Sequence, residues 1–279
     1  MMARKGETVP TTALPAPFGL YILSPGKAIV TADRQTSIDR DEIARFSALA
    51  PQWWDEDGPF RPLHRLNPAR LSYVRDRLAA HFSRDPKQPR PFAGLRLLDI
   101  GCGGGLMCEP LTRLGFTVTG IDADEAALGV ARDHAEGQGL AIDYRAQNAE
   151  DLAAENIRFD AVLALEVVEH AADPTLFIAQ AAALVKSGGA LIASTLNRTP
   201  AAFLVAILGA EYVMRWLPRG THEYGKFRRP SELARDLRSA GLSLGDISGL
   251  GYDPWRDRWR IQPGLRVNYL TFATKPGAQ

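Results

Sequence analysis

Apolar and polar residues follow two different spacings along this chain, and the spacing predicts its elements. From residue 95 onward, short apolar runs alternate with stretches in which apolar residues recur every three or four positions. Short apolar runs are typical of buried strands, and the longer spacing is typical of amphipathic helices. Strands are predicted at 96–100, 116–121, 141–145, 159–165, 189–195, 243–249 and 266–273, and helices at 105–114, 124–137, 174–185 and 231–240. This alternation predicts an α/β fold with a doubly wound, mostly parallel seven-stranded sheet.

The residues ahead of this sheet predict two helices and a tail. One helix is predicted over 37–48, and a second over 67–82, because its Asn-Pro start is a good N-cap and first turn. Residues 1–36 contain scattered Thr, Pro and Gly and are expected to form a loose tail. Residues 37–275 are expected to form one domain.

A glycine-rich loop follows the strand predicted at 96–100, with Gly101, Gly103, Gly104 and Gly105 within five residues. Glycine allows a sharp backbone turn and a close approach to a ligand, and open α/β sheets bind ligands at this position. Leu106 stands where the dinucleotide fingerprint requires its third glycine, and the lysine of a phosphate loop is absent. The loop therefore disfavours a dinucleotide.

Two acidic residues narrow the choice of ligand. Asp122 ends the next predicted strand, about twenty residues beyond Gly101, where a carboxylate can accept hydrogen bonds from two ribose hydroxyls. Asp99, just before the glycines, adds a negative charge that would repel a pyrophosphate and suit a cation. S-adenosylmethionine has a ribose, a sulfonium and an amino group but no phosphate, so these residues predict it as cofactor. The alternative is a glycine-rich turn flanked by two helix-capping acids.

The fourth predicted strand ends in a second group of polar residues. A helical turn over 166–170 would bring Glu166, Glu169 and His170 to one face. Such a group can hold a divalent cation, or His170 can take a proton from an acceptor oxygen. A purely structural turn is the third interpretation, and the sequence leaves all three open.

An insertion at 197–229 interrupts the pattern after the fifth strand. Residues 200–217 are largely apolar and include Trp216, and a basic stretch follows them. This combination is typical of a helix that lies in a membrane interface. A core-packing helix and a lid over the site are the alternatives.

Composition excludes several classes of protein. The chain has 279 residues, 46% of them hydrophobic and 23% charged, as in an ordinary globular domain. Its net charge of +1 gives no general attraction to nucleic acid. Two cysteines argue against a disulfide framework and for a reducing compartment, and no apolar run reaches the ~18 residues of a spanning helix. The expected location is therefore cytoplasmic.

Several motifs resemble the O-methyltransferases of ubiquinone biosynthesis over roughly residues 38–274. The glycine motif alone indicates a class I methyltransferase, and more specific blocks are Trp53-Trp54-Asp55, Asn67-Pro68-Ala69-Arg70-Leu71 and Ser194-Thr195-Leu196-Asn197-Arg198. The resemblance implies a Rossmann-like class I fold and an S-adenosylmethionine site lined by Arg70, Gly101, Asp122 and Leu165. From the residues alone, Asp99 and Gly103 are added to that site.

The resemblance also implies a reaction and partners. It implies methylation of hydroxyl groups on polyprenylated phenol or catechol intermediates, as 2-polyprenyl-6-hydroxyphenol methylase and 3-demethylubiquinol 3-O-methyltransferase. His170, Glu169 and Glu166 are the expected catalytic residues, and relatives of this kind can use a divalent cation such as Mg²⁺ at these three residues. The segment 200–229 resembles a membrane-associating insertion, so the inner-membrane surface and a ubiquinone-biosynthesis complex are expected partners. Another small phenolic acceptor, or a non-catalytic nucleotide-binding module, is the alternative.

Overall fold

The computed structural model describes residues 47–203, 224–253, 255–256 and 258–277. The predicted tail and almost all of the helix predicted over 37–48 lie outside these residues, as does the middle of the insertion. Within the described residues, no helix is long and apolar enough to cross a lipid bilayer.

Eight strands form one sheet in the order β3-β2-β1-β4-β5-β8-β6-β7. The strands are β1 (Arg96–Ile100), β2 (Thr117–Asp122), β3 (Asp143–Ala146), β4 (Phe159–Leu165), β5 (Val185–Leu196), β6 (Ser243–Asp253), β7 (Arg258–Gln262) and β8 (Asn268–Thr274). The first five are parallel, β8 is antiparallel to β5 and β6, and β7 is antiparallel to β6. The mostly parallel α/β fold is confirmed.

The sheet has eight strands rather than the seven predicted. The additional strand is β7, in which Trp259 and Ile261 alternate with Arg258, Arg260 and Gln262. An edge strand that packs one face on the core shows such alternation instead of a continuous apolar run. A search for apolar runs therefore misses it.

Seven α-helices accompany the described strands. They are α1 (Arg61–His81), α2 (Cys108–Arg113), α3 (Glu125–Gly137), α4 (Ala149–Ala154), α5 (Pro174–Ala183), α6 (Pro200–Ala202) and α7 (Pro230–Ser239). Asp124 and Asp173 cap α3 and α5 by accepting hydrogen bonds from the first-turn N–H groups, which confirms both predicted starts.

Helix α1 begins at Arg61 rather than at residue 67. Pro62 occupies its first turn, where a missing N–H costs nothing, and Pro68 lies inside the helix. Phe60, the residue just before α1, is buried and stacks on the Trp53 ring with 3.8 Å between centroids. This contact fixes where the chain enters the helix. The spacing of apolar residues along the sequence does not reveal such a contact, so the earlier helix start was not predicted.

The helices cover both faces of the sheet. Helices α1, α2 and α3 pack on one face, and α4, α5 and α7 pack on the other. Neighbouring residues of one strand therefore enter different cores, as Leu97 and Leu98 of β1 do. Because β1, β2, β4 and β5 are parallel, their last residues meet at one edge of the sheet.

Candidate active site

The glycine loop leaves β1 at this carboxyl edge and is tied to the next strand. The backbone N–H groups of Gly101 and Cys102 both donate to the carbonyl of Ile121, at 2.8 and 3.1 Å. Gly105 has a φ of +85°, and a Cβ there would lie 2.2 Å from Tyr144 Oη. Only glycine satisfies both the left-handed backbone and this close approach.

Asp122 is hydrogen-bonded to the glycine loop. Its Oδ2 accepts from the backbone N–H of Gly103 at 2.8 Å, and its Oδ1 accepts from that of Asp124 at 2.9 Å. Each carboxylate oxygen has a second acceptor site, so the side chain can still bind ligand hydroxyls. Burial raises the pKa of Asp122 above its usual value, against the opposing effect of these N–H groups.

Asp99 is a buried acid beneath the loop. Its Oδ2 lies 3.3 Å from the Cys108 sulfur, which donates to it. Burial raises the pKa of Asp99 to about 7, and the negative charge of Asp122 adds to this effect. A ligand cation nearby would favour the ionised form.

The buried Arg70 and the half-buried Glu166 form an ion pair across the site. Arg70 Nη2, on α1, lies 3.2 Å from Glu166 Oε1, just beyond the end of β4. Glu166 Oε1 also accepts from Ser194 Oγ at 2.7 Å and from Asn268 Nδ2 at 3.0 Å. Within the described residues, Arg70 Nε is buried and makes no hydrogen bond, while Nη2 is engaged by Glu166 through this ion pair. The Nε donor of the guanidinium is therefore unsatisfied.

Glu166 adopts an uncommon backbone conformation. Its φ is +55°, in the left-handed region that non-glycine residues rarely occupy. Its N–H donates to the backbone carbonyl of Ser194 at 3.0 Å, which stabilises this geometry. Such conformations cluster at functional sites.

Glu169 and His170 lie on a one-turn 3₁₀ helix, Val168–His170. Glu169 is buried, and its Oε2 accepts from Thr195 Oγ1 at 2.6 Å. Burial raises the pKa of Glu169 to about 7, and the charge of His170 opposes this increase. A half-buried imidazole therefore stands beside a carboxyl group that titrates near neutrality.

The predicted metal site is not supported. In the part of the chain that the structure describes, no group of three His, Cys, Asp or Glu side chains could hold a metal ion. The prediction requires a helical turn from Glu166 to His170, but the 3₁₀ helix starts only at Val168. The left-handed Glu166 instead pairs with Arg70, while Glu169 bonds to Thr195. Glu166, Glu169 and His170 thus do not form a ligand set.

Two tryptophans with no role assigned from the sequence lie against the loop. A Cβ on Gly103 or Gly104 would lie 2.5 or 2.6 Å from the Trp53 indole. Trp54 Nε1 donates to the carbonyl of Gly104 at 3.1 Å, and its ring stacks on His134 at 3.5 Å. The adjacent tryptophans are a signal in the sequence, but their spacing does not indicate which element they contact.

The predicted site residues lie mainly around the carboxyl edge. Buried Leu165 is the last residue of β4, and Arg70 reaches the same edge from α1. Asn268 was missed as a contact because it comes from β8, where it is paired in register with Leu196 of β5. The roles of these residues toward cofactor and substrate are still predictions.

Comparisons with known proteins identify relatives over most of the chain. A family model for a methyltransferase domain matches residues 98–193. A ubiquinone biosynthesis O-methyltransferase from Chelativorans sp. (strain BNC1) is 55% identical over 246 residues, which cover 88% of this chain and 97% of the relative. Another of the same name, from Mesorhizobium japonicum, is 53% identical over 242 residues, covering 87% and 97%.

Solved structures with the same fold are more distant in sequence. Magnesium protoporphyrin IX methyltransferase from Synechocystis PCC 6803, solved with bound SAH, gives a TM-score of 0.57 at 18% identity and covers 84% of this chain and 99% of its own. A SAM-dependent methyltransferase from Thermotoga maritima gives 0.54 at 18% identity, with coverages of 83% and 99%. At this level of identity the likeness shows the fold alone.

Proposed function

Because this chain belongs to the family of ubiquinone biosynthesis O-methyltransferases, we propose that it methylates a hydroxyl group of a polyprenylated phenol or catechol intermediate. The methyl donor is S-adenosylmethionine. The observation that carries the proposal is the convergence of the glycine loop, the buried Asp99, the half-buried Asp122 and the unsatisfied Nε of Arg70 at one edge of the sheet.

The residues at this edge suit S-adenosylmethionine. Asp122 accepts hydrogen bonds from the ribose hydroxyls, and the glycine loop allows the backbone to approach the ligand. Arg70 offers its buried Nε donor to the carboxylate, and Asp99 supplies negative charge to a cationic ligand. When bound, the cofactor supplies an electrophilic methyl group on its sulfonium.

We assign the acceptor proton to His170. A phenol with a pKa near ~10 is a poor nucleophile at neutral pH, and a positioned base contributes roughly 10²–10⁴-fold to the rate. His170 takes the phenolic proton, and the neighbouring Glu169 carboxylate favours the resulting imidazolium. Glu166 acts as a positioning residue that holds Arg70.

Substituting His170 separates the base role from binding. His170→Ala should lower turnover by about 100-fold while the affinity for S-adenosylhomocysteine stays within about twofold. His81→Ala is the control, because His81 contacts the carbonyl of Gly188 away from the site. Wild-type turnover in His170→Ala would remove the base role.

We further propose that the insertion brings the enzyme to its substrate. A polyprenyl tail keeps the acceptor in the bilayer, and the apolar, basic segment 200–229 suits contact with an anionic membrane surface. This implies a peripheral protein on the cytoplasmic face of the inner membrane, where other ubiquinone-biosynthesis enzymes are partners. Pelleting with liposomes tests the idea, and equal partitioning of the chain with and without 200–229 would contradict it.

A thermal-shift series tests the cofactor. A ligand that binds only the folded state stabilises it according to the ratio of its concentration to its dissociation constant. S-adenosylmethionine and S-adenosylhomocysteine should raise the melting temperature, and NAD should not. Stabilisation by NAD alone would overturn the cofactor assignment.

A further inference from the structure

The two-stranded ribbon of β6 and β7 projects beyond the rest of the sheet. Strand β8 begins at Asn268, which pairs with Leu196 on one side and Leu250 on the other. Beyond Leu250, β6 continues through 251–253, which pair with 258–260 of β7. At ~3.3 Å per residue, these three pairs extend about 10 Å past the start of β8.

The ribbon projects on the side of the candidate active site. Strand β6 is antiparallel to β8, which is antiparallel to β5, so β6 and β5 run in the same direction. The end of β6 therefore points toward the edge where the glycine loop leaves β1 and Glu166 follows β4. The insertion also leaves the sheet at this edge, after β5 ends at Leu196.

The end of the ribbon carries exposed aromatic and basic side chains. Trp255 is 95% exposed and Tyr252 is 42% exposed. Arg256, Arg258 and Arg260 are also exposed. Tryptophan and tyrosine are enriched where a bilayer meets water, and arginines near such a surface are attracted by anionic headgroups.

The acidic side chains of the ribbon do not cancel its positive charge. Asp253 accepts a hydrogen bond from the backbone N–H of Trp255 at 3.2 Å and lies 3.9 Å from Arg260, so its charge is engaged within the ribbon. With Asp257 as the second acid and three arginines, residues 251–260 keep a net positive charge of +1, and Arg256 and Arg258 extend beyond the Asp253–Arg260 pair. The ribbon is anchored on the face that carries Tyr252, because Trp259, whose ring centroid lies 5.6 Å from that of Tyr252, packs on the hydrophobic core.

We propose that this ribbon end is a second membrane contact, in which Trp255 enters the interface of an anionic bilayer and the three arginines bind its headgroups. The contact would turn the carboxyl edge of the sheet, and the active site on it, toward the membrane. It rests on the proposed function, since a membrane-held polyprenylated acceptor gives this orientation its use. It is separate from the insertion, because its residues come from β6 and β7.

Vesicle binding of the full chain tests the proposal. The probe is vesicles of phosphatidylglycerol and phosphatidylcholine, with phosphatidylcholine alone as the neutral comparison. Trp255→Ser should weaken binding to the anionic vesicles severalfold, and the triple change Arg256→Gln, Arg258→Gln, Arg260→Gln should weaken it by about tenfold or more. The effect of the triple change should shrink at high salt, because salt screens exposed charges.

A matched triple change controls for net charge. Arg84, Lys87 and Arg90 are exposed and lie between α1 and the start of β1, at the opposite edge of the sheet. Changing all three to Gln removes the same charge and should leave vesicle binding within about twofold. Wild-type binding by both ribbon variants would overturn the proposal, as would an equal loss in the control triple. If Trp255→Ser instead lost binding to another protein while its vesicle binding stayed unchanged, the ribbon end would contact a protein partner and not a lipid surface.

A soluble acceptor separates this proposal from the proposed function. Without vesicles, the ribbon variants should methylate a water-soluble catechol analogue at the wild-type rate, since no ribbon residue is placed in the site. If the wild-type chain methylates no acceptor, the proposed function fails, while the vesicle results still decide the ribbon's role.

Discussion

Arg70 Nη2 lies 3.2 Å from Glu166 Oε1, and this ion pair joins helix α1 to the end of β4 beside the glycine loop. Ser194 and Asn268 donate to the same oxygen, so β5 and β8 also hold Glu166. The fixed Glu166 then orients the Arg70 guanidinium, whose buried Nε is left for a ligand. A carboxylate that sequence spacing suggested as a metal ligand is thereby placed as the partner of Arg70, to which we assign a role in cofactor binding.

Substituting Arg70 should therefore affect cofactor binding. Arg70→Lys keeps the charge but removes the planar fork of donors, so affinity for S-adenosylhomocysteine should fall by about tenfold or more. Arg77→Lys, on the same helix and paired with Asp246, is the control and should bind normally. Calorimetry measures both, and equal affinities would contradict the assigned role of Arg70.

The ribose contact that we assign to Asp122 predicts that substituting this residue also lowers cofactor affinity. Asp122→Ala removes the acceptor of the Gly103 N–H and the acceptors that we assign to both ribose hydroxyls, so cofactor affinity should fall by about tenfold or more. Asp143→Ala, an exposed acid on the neighbouring strand β3, should bind as the wild type does. Unchanged affinity in Asp122→Ala would remove this residue from the cofactor site.

Because Gly105 packs closely against Tyr144, we expect substitutions at these two positions to have coupled effects on stability. Gly105→Ala should destabilise the fold by about 1–3 kcal/mol through its left-handed backbone, and further through the clash with Tyr144 Oη. Tyr144→Phe removes that oxygen, which is buried and has no hydrogen-bond partner among the described residues.

The double variant should therefore be more stable than the sum of the two single changes indicates, by about 0.5–3 kcal/mol. Gly139→Ala is the control, since its φ is +66° but no atom lies within 4 Å of the added Cβ. Urea unfolding gives the four free energies. If the two single changes in the free energy of unfolding simply added up in the double variant, the close approach of Tyr144 to the loop would not be the cause of the destabilisation by Gly105→Ala.

The raised pKa of Asp99 predicts how stability depends on pH. In the cofactor-free protein, the folded state retains a proton up to about pH 7, whereas the unfolded chain loses it near its ordinary pKa of 3.8. The folded state binds more protons between these values, so its stability falls as pH rises, by up to about 1.4 kcal/mol per pH unit from this group.

Asp99→Asn removes this titration and keeps an acceptor for Cys108. Its free energy of unfolding should decline less than that of the wild type between pH 4.5 and 7. Glu169 contributes to the same decline and is intact in both proteins, so the difference reports Asp99. Parallel curves for the two proteins would contradict a neutral, buried Asp99.

The sequence predicted the centre of the sheet better than the site. Strands β1 and β4 have the predicted bounds because both are apolar runs buried on two faces. Asp173 and Pro174 likewise mark the start of α5 because capping is a local property. Spacing failed at Glu166, whose left-handed backbone depends on Ser194, far away along the chain. Contacts between distant segments arise from tertiary packing, which a local pattern does not report.

Methyl transfer to a defined acceptor tests the central claim most directly. The measurement follows the labelled methyl group of S-adenosylmethionine into a short-chain demethylubiquinol analogue, and into a generic catechol in parallel. We expect transfer to both, with a clearly higher kcat/KM for the prenylated analogue. Equal use of the two acceptors would contradict the assigned substrate class. Absence of transfer to either, although S-adenosylmethionine stabilises the protein, would contradict the methyltransferase activity itself.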